Sequence, residues 1–167
     1  DEARLNYVKE ELEVECFGAP SPDGGPGASG RACELDKAWY GLARALRGLT
    51  SSVGEWLDDS DPECWGDATY PLDRAIMGPR RVVEAEHEVA HIVRLVEPGE
   101  VADVAAALEA LTEEELETRF RRANEDVYPE AEEEWEVGYA REYFEAARDF
   151  YRRFAGSGMA IVFAADQ

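Results

Sequence analysis

The residues with the sharpest chemical spacing are His87, Glu88, Val89, Ala90 and His91. They fit H-E-x-x-H, in which two histidines one helical turn apart bind zinc and the glutamate serves as general base. That chemistry needs a helix. On a strand the two histidines point the same way but lie about 13 Å apart, too far to share one ion. Periodicity allows both forms. Val82, Ala85, Val89, Ile92 and Val96 make a helix stripe, while Val89, His91, Val93 and Leu95 make one face of a strand. The β-branched density of residues 89–96, with Pro98-Gly99 soon after, favours the strand. The chain has 2 histidines, so no third one remains as a distal ligand. The expectation is that this segment holds no metal, and a zinc hydrolase is the weakest functional reading.

Other chemistry-bearing patterns thin out on inspection. Asp58-Asp59-Ser60-Asp61-Pro62-Glu63 resembles a calcium loop, but counting from Asp59 puts Cys64 where glycine is needed and Tyr70 where glutamate is needed. It reads as a solvated acidic turn. No G-x-S-x-G elbow, P-loop or G-x-G-x-x-G is present, so nucleotide cofactors and triad hydrolysis lack a sequence basis. No cofactor is expected. Of the tryptophans, Trp39 and Trp135 fall on apolar helix stripes and read as core. Trp56 and Trp65 fall in irregular chain, better suited to a binding surface. Arg74, in a short helix nearby, could anchor an anion or neutralise Asp73 or Glu63. Asp36, Trp39, Trp56, Trp65 and Arg74 are thus the candidate lining of a small-molecule pocket between residues 56–65 and the helix that starts at Asp36.

Charge constrains partners more firmly. Acids number 38 against 17 bases, for a net charge of -21. Phosphate backbones need a basic footprint, so nucleic acid is excluded as a direct partner. Anionic membrane surfaces are excluded for the same reason, and no run approaches the roughly 18 apolar residues of a span. What remains is a solvated surface that keeps the protein soluble, or a face complementary to a basic protein. Residues 125–136 carry seven acids and no base, with Glu132, Glu133 and Glu134 at their centre. Cys16, Cys33 and Cys64 are odd in number and form no C-x-x-C pair. Reduced thiols in a cytoplasm fit them better than a disulfide framework or a zinc cage.

These residues must be positioned by elements that the pattern also suggests. Residues 2–13 read as a helix with Leu5, Val8 and Leu12 on one stripe, unlike a signal peptide. Residues 18–30, GAPSPDGGPGASG, read as a flexible surface loop. Asp36 is placed as the N-cap of a helix that buries Trp39, Leu42, Ala43 and Leu46 and stops at Gly48. Pro71 opens a short helix closed by Gly78. Pro98-Gly99 marks a turn before the stripe Val101, Val104, Leu108, Leu111. Thr112 and Glu115 form a capping box for the next helix, with Leu116 and Phe120 inward. Residues 131–155 give the strongest helix signal, with Trp135, Tyr139, Tyr143, Ala147, Phe150 and Phe154 on one stripe. Residues 159–164 then read as a buried strand.

The ordered set Leu35-Asp36-Lys37-Ala38-Trp39, then Pro71-Leu72-Asp73-Arg74-Ala75-Ile76-Met77-Gly78, then Tyr128-Pro129 and the aromatic helix around Tyr143-Phe144 and Phe150-Tyr151, with a glycine-led terminal strand, resembles the YfbM-like family of small uncharacterised bacterial proteins. The resemblance covers residues 35–163. It implies a small mixed sheet flanked by helices, a strand near residues 89–95, and no catalytic residues to carry over. It also implies a leading strand ahead of the region matching Glu2, so the expectation is that this chain lacks that strand. The expected architecture is one α+β domain over residues 1–167, with about six helices on a small mixed β-sheet and residues 159–164 central in it or paired with 89–95. The expected function is a non-enzymatic cytoplasmic interaction protein that holds a basic partner, of the immunity or inhibitor type. The alternative is a small-molecule binder or enzyme using the tryptophan stretch.

Overall fold

The computed structural model describes residues 32–48, 70–81, 91–125 and 130–166. Along them run helix α1 (Ala38–Arg47), a 3-10 turn (Leu72–Arg74), strands β1 (Arg80–Arg81) and β2 (His91–Val96), helices α2 (Pro98–Ala110), α3 (Glu113–Asn124) and α4 (Glu130–Phe154), and strand β3 (Ile161–Asp166). The arrangement is α+β and dominated by helix. About six helices were expected; the described residues hold four α-helices and the 3-10 turn. The expected helix at residues 2–13 and the loop at 18–30 lie outside the described residues. The helix that Pro71 was to open shortens to three residues. Its successor, Gly78, lies so close to β2 that a Cβ there would stand 2.2 Å from the Leu95 carbonyl oxygen. The chain must leave the helix early to make that approach.

Helix ends follow local chemistry. Gly48 closes α1 at φ 68, a left-handed conformation that costs glycine nothing, and its N–H donates to the Ala45 carbonyl. The Thr112–Glu115 box is present. The Glu115 N–H donates to Thr112 Oγ1 at 3.2 Å, and the Thr112 N–H donates to Glu115 Oε2 at 3.0 Å. Such a cap is worth about 1 kcal/mol. A second box, between Glu97 and Glu100, starts α2 with Pro98 at its first position. Pro98-Gly99, expected as a turn, is therefore helical, because proline's missing N–H is no loss in a first turn.

The sheet runs β1-β2-β3 with β2 in the middle, and both pairings are antiparallel. The expected mixed sheet is thus antiparallel throughout the described residues. Register sets Leu95 against Arg80 and Val96 against Ile161. The terminal strand pairs with the expected partner, over 161–166 and 91–96 rather than 159–164 and 89–95, and it is an edge of the described sheet rather than its centre.

Helix α1 packs on α3 and α4, and α2 packs along α4. Leu42, Leu46, Val104, Leu108 and Phe144 are fully enclosed where these helices meet, and the sheet adds Val96 and Ile161 to the same cluster. The buried side of α4 is Val137, Ala140, Phe144, Ala147 and Tyr151, with Tyr143 beside them. The expected stripe is therefore turned by about one position. Tyr143 and Ala147 are inside, Tyr139, Phe150 and Phe154 are half-buried, and Trp135 is 65% exposed. The physical reason is that α4 is covered on more than one side, by α1, α3 and α2, so its buried arc is broad and centres off the aromatic row.

Candidate functional site

Asp36 does not cap α1. The position before the helix is Lys37, without a side-chain cap bond, and Asp36 adopts φ 41. An aspartate tolerates this left-handed region better than most residues. The turn sends its carboxylate across to α4, where the Tyr139 hydroxyl donates to Asp36 Oδ2 at 2.6 Å. Tyr139 and Tyr143 pack edge to face at 4.8 Å. Burial and the bond to Asp36 raise the Tyr139 phenol well above its ordinary range; burial likewise raises Tyr143. Trp135 stacks on Tyr139 at 5.0 Å and 14°, one turn earlier on α4. The result is a ladder of three aromatic rings with a carboxylate bonded to its middle rung. The phenols stay neutral and Tyr139 donates, while Asp36 and the ring faces can receive a cation.

The arginines go elsewhere. Arg44 is 1% exposed, and its Nε and Nη2 donate to the Ala123 carbonyl at 2.9 and 2.6 Å. That carbonyl is among the last of α3, which the helix cannot satisfy itself. Asn124 completes the seam by donating to the Phe120 and Gly41 carbonyls. Arg47, also buried, donates to the Met77 carbonyl at 2.7 Å. Burial, then the nearby Arg94 guanidinium, brings the Arg47 pKa down to about 10, against the pull of Asp73. Arg94 is buried on β2 and lowered by burial too. On the outside, Arg121 pairs with Glu117 and Glu134, Arg152 with Glu109 and Asp149, Arg148 with Glu145, and Arg141 with Glu113.

The sequence-derived candidates separate under this geometry. Asp36 joins the ladder. Trp39 is half-buried and packs on Phe163 of β3 at 5.6 Å and on Tyr40 at 5.8 Å, so it stitches α1 to the sheet. Arg74 faces Asp73 at 3.3 Å and stands 5.8 Å over the Tyr70 ring. Trp56 and Trp65 lie outside the described residues, as do His87, Cys16, Cys64 and residues 58–63. His91 begins β2, a strand rather than the helix that a zincin pair requires. Glu132, Glu133 and Glu134 all fall in the first turns of α4, and the exposed Glu134 meets Arg121 at 2.7 Å. Cys33 is a free, half-buried thiol that burial pushes up to about 11. A groove lined by Glu113, Leu116, Phe120, Val137 and Arg141 encloses about 10 Å³, room for one water. Among the described residues no group of three or more His, Cys, Asp or Glu could hold a metal, and no helix is long and apolar enough to cross a membrane. The sequence missed Tyr139 and Trp135 as surface residues; the signal available was an aromatic row wider than one buried stripe.

Fold and site together define a helix-dominated α+β protein with an aromatic ladder tied to a carboxylate and with Arg44, Arg47 and Arg94 buried. The chain belongs to the family described as Domain of unknown function (DUF1877), which matches residues 1–164. No curated protein and no solved structure matches it.

Proposed function

We propose that this chain is a non-enzymatic cytoplasmic interaction protein whose acidic surface holds a basic protein partner, as an immunity or inhibitor protein holds its target. The carrying observation is the fate of its arginines. Arg44, Arg47 and Arg94 are buried, and Arg121, Arg141, Arg148 and Arg152 are engaged by the chain's own acids. These seven of the 17 basic residues are thus withdrawn into the interior or neutralised locally, in a chain whose net charge is -21. Such a field speeds encounter with a basic face and repels nucleic acid and anionic lipid. The half-buried Cys33 thiol is in keeping with a reducing compartment. The finer placement, among the bacterial YfbM-like proteins, rests on the ordered motifs of residues 35–163.

The test is affinity capture from a native bacterial lysate at stepped salt, with wild type beside a Glu132→Lys, Glu133→Lys, Glu134→Lys variant. Captured proteins should be basic, should be lost as salt shortens the screening length to about 8 Å, and should be missing from the triple variant. Capture of the same partner by the triple variant refutes the assignment of this surface.

A further inference from the structure

We propose that the Trp135–Tyr139 stack and the Asp36 carboxylate form a receptor for one arginine side chain of a basic protein segment. The inference rests on the reading above and names the anchor within it. Trp135 lies on Tyr139 at 5.0 Å, nearly parallel, and is 65% exposed, so its other face meets solvent. The Asp36 carboxylate is bonded to the Tyr139 hydroxyl at 2.6 Å. An ionised carboxylate offers about four acceptor sites, and Tyr139 takes one. The charges acting on the Tyr139 and Tyr143 hydroxyls come from Asp36, Glu34 and Glu142, all acidic. An open π face on a stack whose neighbouring charges are acidic favours a cation.

The chain itself shows the geometry. Arg44 stands over Tyr40, Arg74 over Tyr70 and Arg148 over Phe144, each within 5.7 to 5.8 Å. Among the described residues no guanidinium stands over Trp135. Arginine fits better than lysine, because a planar guanidinium stacks on an indole face and still has N–H groups at its edge to donate to an acidic neighbour. A second copy of the chain is a poor occupant, since it brings a charge of -21 to an acidic face.

Three decapeptides of glycine and serine, differing at one central residue, test this. The residue is arginine, lysine or citrulline, the last being a neutral analogue of arginine. Binding is followed by the fluorescence anisotropy of a dye on the peptide's N-terminus, a readout that survives removal of Trp135. The arginine peptide should bind tightest, lysine less, and citrulline least. Trp135→Ala should weaken the arginine peptide about fivefold and erase its preference over lysine. Asp36→Asn should weaken both charged peptides. Trp135 is exposed, so its variant should melt with the wild type, which separates lost contact from lost fold. Equal binding of the arginine peptide by wild type, Trp135→Ala and Asp36→Asn overturns the inference, as does citrulline binding like arginine, no binding by wild type, or a dimer that Trp135→Ala dissociates. Should the receptor fail while Glu132→Lys, Glu133→Lys, Glu134→Lys still loses its partner, the acidic-surface reading stands without this anchor.

Discussion

Gly78 offers the most direct test of how the chain is packed. An ideal Cβ there would lie 2.2 Å from the Leu95 carbonyl oxygen, 2.4 Å from its carbon and 2.8 Å from the Val96 nitrogen. Ordinary carbon contacts begin near about 3.5 Å, so an alanine requires a shift of about 1 Å. The obstacle is backbone, and it belongs to β2, which is hydrogen-bonded on both sides, to β1 and β3. Val96 next to it is buried in the core. Neither neighbour can yield alone. Overpacking of this kind costs about 1–3 kcal/mol, and the rigidity of the obstacle puts Gly78→Ala near 3. In a protein of this size that lowers Tm by roughly 6–12 °C. Gly138 is the control, inside α4 with nothing within 4 Å of its added Cβ. Gly138→Ala should stabilise by about 0.5–1 kcal/mol through helix propensity. Urea melts followed by circular dichroism read both. A Gly78→Ala variant within about 0.5 kcal/mol of wild type would refute the close approach of this turn to β2.

Phe144 is fully buried and Phe150 half-buried on α4, so Phe144→Ala should cost about 3–5 kcal/mol and Phe150→Ala clearly less in the same melts. A reversed order would mean that the helix face is misassigned. For Cys33, burial first, opposed by Arg153, raises the thiol from 9.0 to about 11. Near pH 8 its alkylation, mapped by mass spectrometry, should run about 100-fold slower than in urea-unfolded chain, since only thiolate reacts. The sign for stability follows: the unfolded thiol ionises near 9.0 while the folded one keeps its proton to about 11. This contribution is therefore complete below pH 9 and is lost as pH rises toward 11. Alkylation equally fast in folded and unfolded chain would show that Cys33 is open to solvent.

Much of the scaffold was legible because its signals are local. The Thr112–Glu115 box, the Gly48 stop and the pairing of 91–96 with 161–166 each depend on residue types within a few positions or on simple alternation. The errors came where distant chain decides. Asp36 looks like an N-cap, but a bond to Tyr139, 103 residues away, draws it into a left-handed turn. Pro98-Gly99 is the exception, a local miss: the Glu97–Glu100 box beside it makes it a helix start rather than a turn. Trp135 looks like core because hydropathy cannot say which part of a broad aromatic arc meets a neighbour. Arg44, Arg47 and Arg94 look like surface, since nothing nearby in sequence announces the carbonyls or charges they meet inside.

The seam between Arg44 and Ala123 also sets an order of events during synthesis. The guanidinium and the carbonyl that fills its forks are 79 residues apart. At about 5–20 residues per second, the ribosome adds Ala123 roughly 4–16 s after Arg44. Through that interval α1 has no α3 to lie against, and a charge destined for the interior stays hydrated. Helix α1 cannot dock as it emerges; it must wait for the far end of α3. Nascent chains stalled before residue 123 should thus leave α1 open to protease, and those stalled well beyond it should protect it.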